Sequence, residues 1–168
     1  TLREKQKRGS LLWVLDKTKT AMGGRMLRSF IEQPLIEKGE MERRLDAVEE
    51  LNRDSVSRDE LREYLNPIYD LERLLSKVTY KTANPRDLIA FKHSLNMIPH
   101  IKYLLRETRS KDLVDFYENL GNLEDISNLI DQAIEEEPPI SIKEGGIIKT
   151  GYNESVDKYR NAKTEGKQ

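Results

Sequence analysis

Histidines, glycine pairs and clustered carboxylates are the residues from which this sequence could build a reactive centre. Its two histidines, His93 and His100, stand seven positions apart. A straight helix would stack them about two turns, or roughly 10 Å, apart, too far to share one metal ion. Pro99 between them disturbs the geometry further, and both read as solvated or packing side chains. The two glycine pairs, Gly23-Gly24 and Gly145-Gly146, belong to no G-x-x-x-x-G-K-[ST] or G-x-G-x-x-G pattern. A phosphate loop needs such glycines so that backbone N–H groups can surround the phosphates. The chain is therefore not expected to hold a nucleotide by that route, and Gly23-Gly24 reads as a place where a helix packs closely or begins. Glu135-Glu136-Glu137 reads as a solvated helix end, not an acid/base pair. No Ser or Thr sits in a G-x-S-x-G elbow. The sequence contains no cysteine, which excludes thiolate catalysis, disulfides and Cys-based zinc sites. No catalytic, cofactor-binding or metal-binding residue is assigned, and the chain is expected not to be an enzyme.

The net charge of −1 conceals a strong asymmetry. Residues 1–30 hold eight Lys/Arg against Glu4 and Asp16, whereas residues 115–137 hold eight Asp/Glu and no Lys or Arg. A basic cluster of this kind suits nucleic acid or an acidic partner surface. One reading is therefore a freestanding helical nucleic-acid-binding module that uses basic residues 1–30, with Lys5, Lys7 and Arg8 foremost. The blander reading is two solvated helix faces, because no aromatic interleaves with the basic run except Trp13, which sits among leucines.

The elements that would position these side chains are helical nearly throughout. Residues 10–16 form a short apolar run that fits a strand or a buried helix, and Ser10, placed as a helix cap, favours the helix. Met22, Met26 and Phe30 recur at helical spacing until Pro34 ends the pattern. Met41, Leu45, Val48 and Leu51 form a narrow stripe expected to face the core. Ser57-Arg58-Asp59-Glu60 has the pattern of a capping box. Beyond Pro67, the stripe Ile68, Leu71, Leu75, Val78 predicts another helix. Asn84-Pro85-Arg86-Asp87 is the clearest helix start, with a cap, a proline for the first turn and an acid at the positive end. Leu88, Phe91, Leu95 and Ile98 follow it, and Pro99 predicts a kink or break. Leu113, Tyr117 and Leu120 lead to Gly121-Asn122, a turn expected to cap the stripe Leu123, Ile126, Ile130, Ala133. Pro138-Pro139 stops the helices, and Ile140-Ser141-Ile142 with Ile147-Ile148 around Gly145-Gly146 predicts a small β-hairpin near residues 140–150. Asn153 is placed to cap a final helix, expected to fray because residues 158–168 offer only Tyr159 as a large apolar side chain. The segments share no repeat length.

The fold class expected is thus all-α, a multi-helical domain with one small hairpin. No apolar run is long enough to span a membrane, and the amino terminus lacks the apolar region of a signal peptide. A cytoplasmic location fits these features and the lack of cysteine. The missing initiator Met and the polar end at Glu165-Gly166-Lys167-Gln168 suggest a segment excised from a longer protein.

Several ordered motifs resemble the core domain of the MutS family of DNA mismatch-repair proteins. Gly9-Ser10-Leu11-Leu12, Leu15-Asp16, Thr18, Thr20, Met22-Gly23 and Arg25-Met26-Leu27 are similar to the start of that core, with Pro34-Leu35 at the expected distance. Asp70-Leu71-Glu72-Arg73 and Pro85-Arg86-Asp87-Leu88 follow in the same order. Gly145-Gly146, Gly151-Tyr152-Asn153-Glu154 and Asp157 resemble the climb into the family's long lever helix, with Ser155 where an acid is expected. The resemblance covers essentially all 168 residues. It implies a helical core domain over residues 1–152 and the start of a lever helix over 153–168. It also implies that the segment couples ATP binding to a DNA clamp elsewhere in a dimeric full-length protein. That parent would take ATP and Mg, mismatched double-stranded DNA, a second MutS subunit and other domains of its own chain; this segment itself would take no cofactor. The family's F-x-E mismatch-reading motif occurs in bare form at Phe30-Ile31-Glu32 and Phe116-Tyr117-Glu118. Both lie inside helical stripes, where a phenylalanine cannot project as a wedge between bases, so neither is read as that motif.

Overall fold

The computed structural model of the chain describes residues 8–165, so Lys5 and Lys7 lie outside the described residues. Ten α-helices and one short 3-10 turn occur among them, and no strand. The chain divides into two compact units, each discontinuous in sequence: residues 1–72 with 97–122, and residues 73–96 with 123–168.

In the first unit, Leu11–Leu15 (α1) starts where expected, because the Ser10 hydroxyl accepts from the Trp13 N–H at 3.2 Å. Ala21–Glu32 (α2) is capped by Thr20, whose hydroxyl accepts from the Gly23 N–H at 3.0 Å, and it ends before Pro34. Lys38–Arg53 (α3), Ser55–Leu65 (α4), Ile98–Leu105 (α7) and Lys111–Asn119 (α8) pack around Ile101, Leu105 and Leu113. Pro99 does break the chain's helical run: a helix ends at Leu95 and α7 begins at Ile98, with the proline in its first turn, where a missing N–H costs nothing.

Four local expectations shift. α4 begins at Ser55, so Ser57 is not its cap; the Asp54 carboxylate accepts from the Ser57 N–H at 3.0 Å instead. The helix after Pro67 is Leu71–Thr79 (α5), with Ile68 left outside it against the first unit's core. Leu74 is the buried residue of α5, and Leu75 and Val78 are about half exposed. α3 turns Leu51 inward as its stripe predicts, together with Ala47, but leaves Leu45 and Val48 of that stripe 64% and 63% exposed. The cap of Glu124–Ala133 (α9) is Leu123, at φ 50°, without a side-chain hydrogen bond, in place of Gly121-Asn122.

The second unit pairs Pro85–Leu95 (α6) with α9 around Ile89, Ile130, Ala133 and Ile134. Its largest departure from expectation is the β-hairpin near residues 140–150, which does not form. Ile142–Glu144 makes a 3-10 turn under Ser141, and Ile140 and Ile142 are exposed. Ile148 instead forms an isolated antiparallel bridge with Ile134, just past the end of α9. The Glu135 N–H donates to the Ile147 carbonyl at 2.8 Å and the Lys149 N–H to that of Ala133 at 2.9 Å. The apolar pair Ile147-Ile148 thus completes the α6–α9 core instead of meeting its sequence neighbours. Gly145, at φ 75° and ψ −171°, occupies a backbone region open essentially to glycine alone. The final helix, Glu154–Glu165 (α10), follows Asn153, whose side-chain oxygen accepts from the Ser155 and Val156 N–H groups.

Candidate functional site: helix caps and charge clasps

The sequence's candidate chemical residues do not converge. His100 lies in the first unit, stacked on Tyr64 with ring centroids 4.9 Å apart, and His93 lies in the second, with Nε2 3.1 Å from Glu136. Gly23 begins α2 so close to Thr20 and Thr18 that an added Cβ would lie 3.1 Å from the Thr20 hydroxyl. Phe30 and Phe116 are both helical, and the Arg44 guanidinium sits 3.7 Å over the Phe30 ring. Among the described residues, no group of three or more His, Cys, Asp or Glu is arranged to hold a metal ion. No helix among them is long and apolar enough to cross a membrane.

What the motif residues do is brace the chain. In the first unit Arg25 spreads its guanidinium over two acids: both terminal nitrogens donate to Asp70 at 2.7 Å, and Nε donates to Glu72 at 3.1 Å. The planar fork of arginine suits such two-sided capture. Those hydrogen bonds, from Asp70 first and then Glu72, raise the Arg25 pKa above the ordinary arginine value. The clasp ties α2 to the head of α5. Arg43 of α3 likewise pairs with Asp112 and Asp115 of α8. Glu50 accepts from the Arg109 and Ser110 N–H groups at 2.8 and 2.7 Å, just before the α8 N-terminus. Burial would push the Glu50 carboxyl up, but these N–H groups outweigh it and hold the carboxyl below its ordinary value.

The second unit opens on a complete capping box: Asn84 accepts from the Asp87 N–H and Asp87 accepts from that of Asn84, both at 2.9 Å. Lys77 of α5 donates to the same Asp87 at 2.8 Å, and Arg86 Nε donates to the Pro138 carbonyl at 2.9 Å. The densest cluster surrounds Lys92, only 4% exposed on the inner face of α6. Its ammonium donates to Asp131 at 3.0 Å and to Glu136 at 2.5 Å, and Lys149 stands 3.8 Å from Asp131. Burial would lower the Lys92 pKa; hydrogen bonds to Glu136 and then Asp131 outweigh it and raise the pKa. The same bonds from Lys92 hold both carboxyls below their ordinary range. Glu136 is therefore a clasp partner and not the solvated helix end read from its triplet. Lys92 was missed in the sequence although a signal existed: Leu88, Lys92 and Leu95 share one helix face, so a lysine stands inside an apolar stripe and requires a counter-charge.

The arrangement holds helices to one another. A pocket of about 220 Å3 lies in the first unit beside Glu50, Asp54, Ser57 and Tyr103, open to solvent and without a convergent reactive set.

The family model for MutS domain III matches residues 1–165. A protein of Lachnoclostridium phytofermentans named DNA mismatch repair protein MutS is 66% identical over 167 residues, 99% of this chain but 18% of that protein. Proteins of the same name from Ruminiclostridium cellulolyticum and Acetivibrio thermocellus are 56% and 51% identical, over 99% and 100% of the chain and 19% of each relative. The chain thus spans about a fifth of the length of the curated relatives it matches.

Proposed function

The chain belongs to the MutS domain III family, and from that premise we propose that it is the structural core and lever segment of a DNA mismatch-repair protein. In the full-length protein it couples ATP binding, with Mg, to a clamp on mismatched double-stranded DNA, in partnership with a second MutS subunit and the other domains of its own chain. It carries out no chemistry itself, and its place of work is the cytoplasm. In this reading residues 1–152 belong to the core and residues 153–168 to the segment that starts the lever.

The observation that carries this reading is the use made of the motif residues. Ser10, Thr20, Asn84 and Asn153 cap helices, and Arg25, Asp70, Glu72 and Asp87 clasp them. Charge-assisted clasps and caps make a stiff frame, and stiff elements with discrete packings transmit a two-state change.

The test replaces the corresponding segment of the Lachnoclostridium relative with this one, with and without one extra residue inserted after Arg160. One residue turns everything beyond it on the helix by about 100°. Mismatch binding is expected to survive the insertion while ATP-triggered release from DNA is lost. Unchanged ATP-triggered release, or specific ATP turnover by the isolated chain, would overturn the proposal. The alternative of a freestanding nucleic-acid-binding module has weaker support, since Arg25 and Arg28 in the basic region already hold acids. Micromolar DNA binding at physiological salt, abolished by neutralising Lys5, Lys7 and Arg8, would revive it.

A further inference from the structure

α10 has too little apolar surface to fix its own direction. Tyr159 is 79% exposed, and among residues 154–162 only Val156, Asp157 and Arg160 are partly covered. Such a helix cannot be held by hydrophobic packing. One side chain nevertheless reaches back from it to the strand-like segment below. Arg160 donates through Nη2 to the Ile148 carbonyl at 2.7 Å, and through Nη1 to the Thr150 hydroxyl at 2.8 Å and to Asp157 at 3.2 Å. The other oxygen of Asp157 accepts from the Gly151 N–H at 2.8 Å, closing the turn between Thr150 and the helix.

The carbonyl that Arg160 holds is not on a loose loop. Ile148 is bridged to Ile134 at the end of α9, and its neighbour Lys149 donates its N–H to Ala133 and pairs its ammonium with Asp131. Asp131 in turn accepts from the buried Lys92 of α6. Hydrogen bonds and the Lys149–Asp131 ion pair therefore lead from the second turn of α10 to the α6–α9 pair, with Arg160 and Asp157 as links on the helix side among the described residues.

We propose that Arg160 is a bracket that fixes the direction of α10 against the α6–α9 pair, so that α10 extends the second unit as a rigid rod. A planar guanidinium addresses the carbonyl, the hydroxyl and the carboxylate from separate nitrogens in a fixed fork; a lysine ammonium in its place is a single point donor on a flexible stem and fixes direction less well. The mechanical use of such a rod rests on the lever reading, whereas the bracket is a property of this chain alone.

The absence of cysteine makes a clean spin-label experiment available on the isolated chain. Labels are attached through Asn128→Cys on α9 and Asn161→Cys on α10, both exposed positions, and the distance distribution is measured by double electron–electron resonance. A narrow distribution is expected, broadened by Arg160→Met and broadened less by Arg160→Lys. Amide exchange at Lys149 should rise about tenfold in Arg160→Met, as expected for a lost charged hydrogen bond. Exchange at Ile134, bonded to the Ile130 carbonyl within the helical pair, should stay unchanged. Thr150→Val, which removes one acceptor and leaves the guanidinium, should also broaden the distribution and serves if Arg160→Met does not fold. The proposal is overturned by a distribution already broad in the parent, by no broadening in any folded variant, or by equal acceleration at Lys149 and Ile134. Unchanged ATP-triggered release in the graft with the inserted residue would refute the lever and leave these measurements standing.

Discussion

Replacing Lys92 with methionine tests whether the buried cation organises the second unit. Lys92 is 4% exposed, and its ammonium is shared between Asp131 and Glu136, whose side chains are 56% and 54% exposed. Breaking a fully buried ion pair costs about 3–5 kcal/mol because a charge is stranded. Here the stranded acids face water and can rehydrate, which brings the expected loss for Lys92→Met down to roughly 1–2 kcal/mol. Methionine keeps the packing of the stem; Lys92→Ala forfeits that packing too and should cost about 1–2 kcal/mol more. The sign of the pH dependence separates charge from packing. Asp131 and Glu136 are held below their ordinary values, so their contribution is present above about pH 4 and is lost as pH falls through the depressed values. The Lys92 pKa is raised, so its contribution is present below about pH 10 and is lost as pH rises through the raised value. The deficit of Lys92→Met should therefore be full near neutrality and shrink at about pH 3. Urea unfolding by circular dichroism, with amide exchange at Ile134 and Lys149, reports on the right unit, because Trp13 fluorescence belongs to the other. A deficit of equal size at pH 3 and pH 7 would show that Lys92 acts by packing alone.

Asp54→Ala should lower helicity and the melting temperature more than Ser57→Ala, since Asp54 is the α4 cap, and Asp54→Asn should recover most of the loss. Asn84→Ala removes half of the α6 capping box and should cost about 1 kcal/mol in urea unfolding. Gly151→Ala and Gly39→Ala should act with opposite sign, although neither added Cβ meets any atom within 4 Å. Gly151 sits at φ +86°, where alanine is strained by about 1–2 kcal/mol, whereas Gly39 is helical and alanine there should stabilise by about 0.5 kcal/mol; midpoints that move in the same direction would contradict this account.

The helix starts and stops that the sequence announced are those in which signal and structure lie within four residues of each other. Ser10, Asn84 and Asn153 cap because a short polar side chain reaches N–H groups two or three positions on. Pro99 breaks because it removes a bond within its own turn. The capping box at Ser57 misled because Asp54 is also a capping residue, and the choice between them depends on α3 ending at Arg53. The hairpin misled for a different reason: Ile147 and Ile148 needed an apolar partner, and α9 supplied it from outside the local segment. The Arg25 clasp spans 45 residues to Asp70, and no local pattern announces such a pairing. Only the ordered resemblance pointed to both of its halves.

The rotation of α3 shows how charge can override an apolar stripe. Met41, Leu45, Val48 and Leu51 make up the stripe, yet the face turned to α8 carries Arg43, Ala47, Glu50 and, from the stripe, Leu51. Burying what remains exposed of Leu45 and Val48 would gain roughly 1 kcal/mol each. Against that stand the pairing of Arg43 with Asp112 and Asp115 and the two N–H bonds from Arg109 and Ser110 to Glu50. Charged hydrogen bonds of that kind, discounted for partial exposure, sum to a comparable 2 kcal/mol or so. Ala47 is partly covered beside Leu51 in the observed rotation, which adds to the charged contacts. A stripe in a sequence therefore states that a face is apolar and leaves open which surface it packs on. In a segment that spans about a fifth of its relatives' length, helix rotation is better read from where the inward charges find their partners.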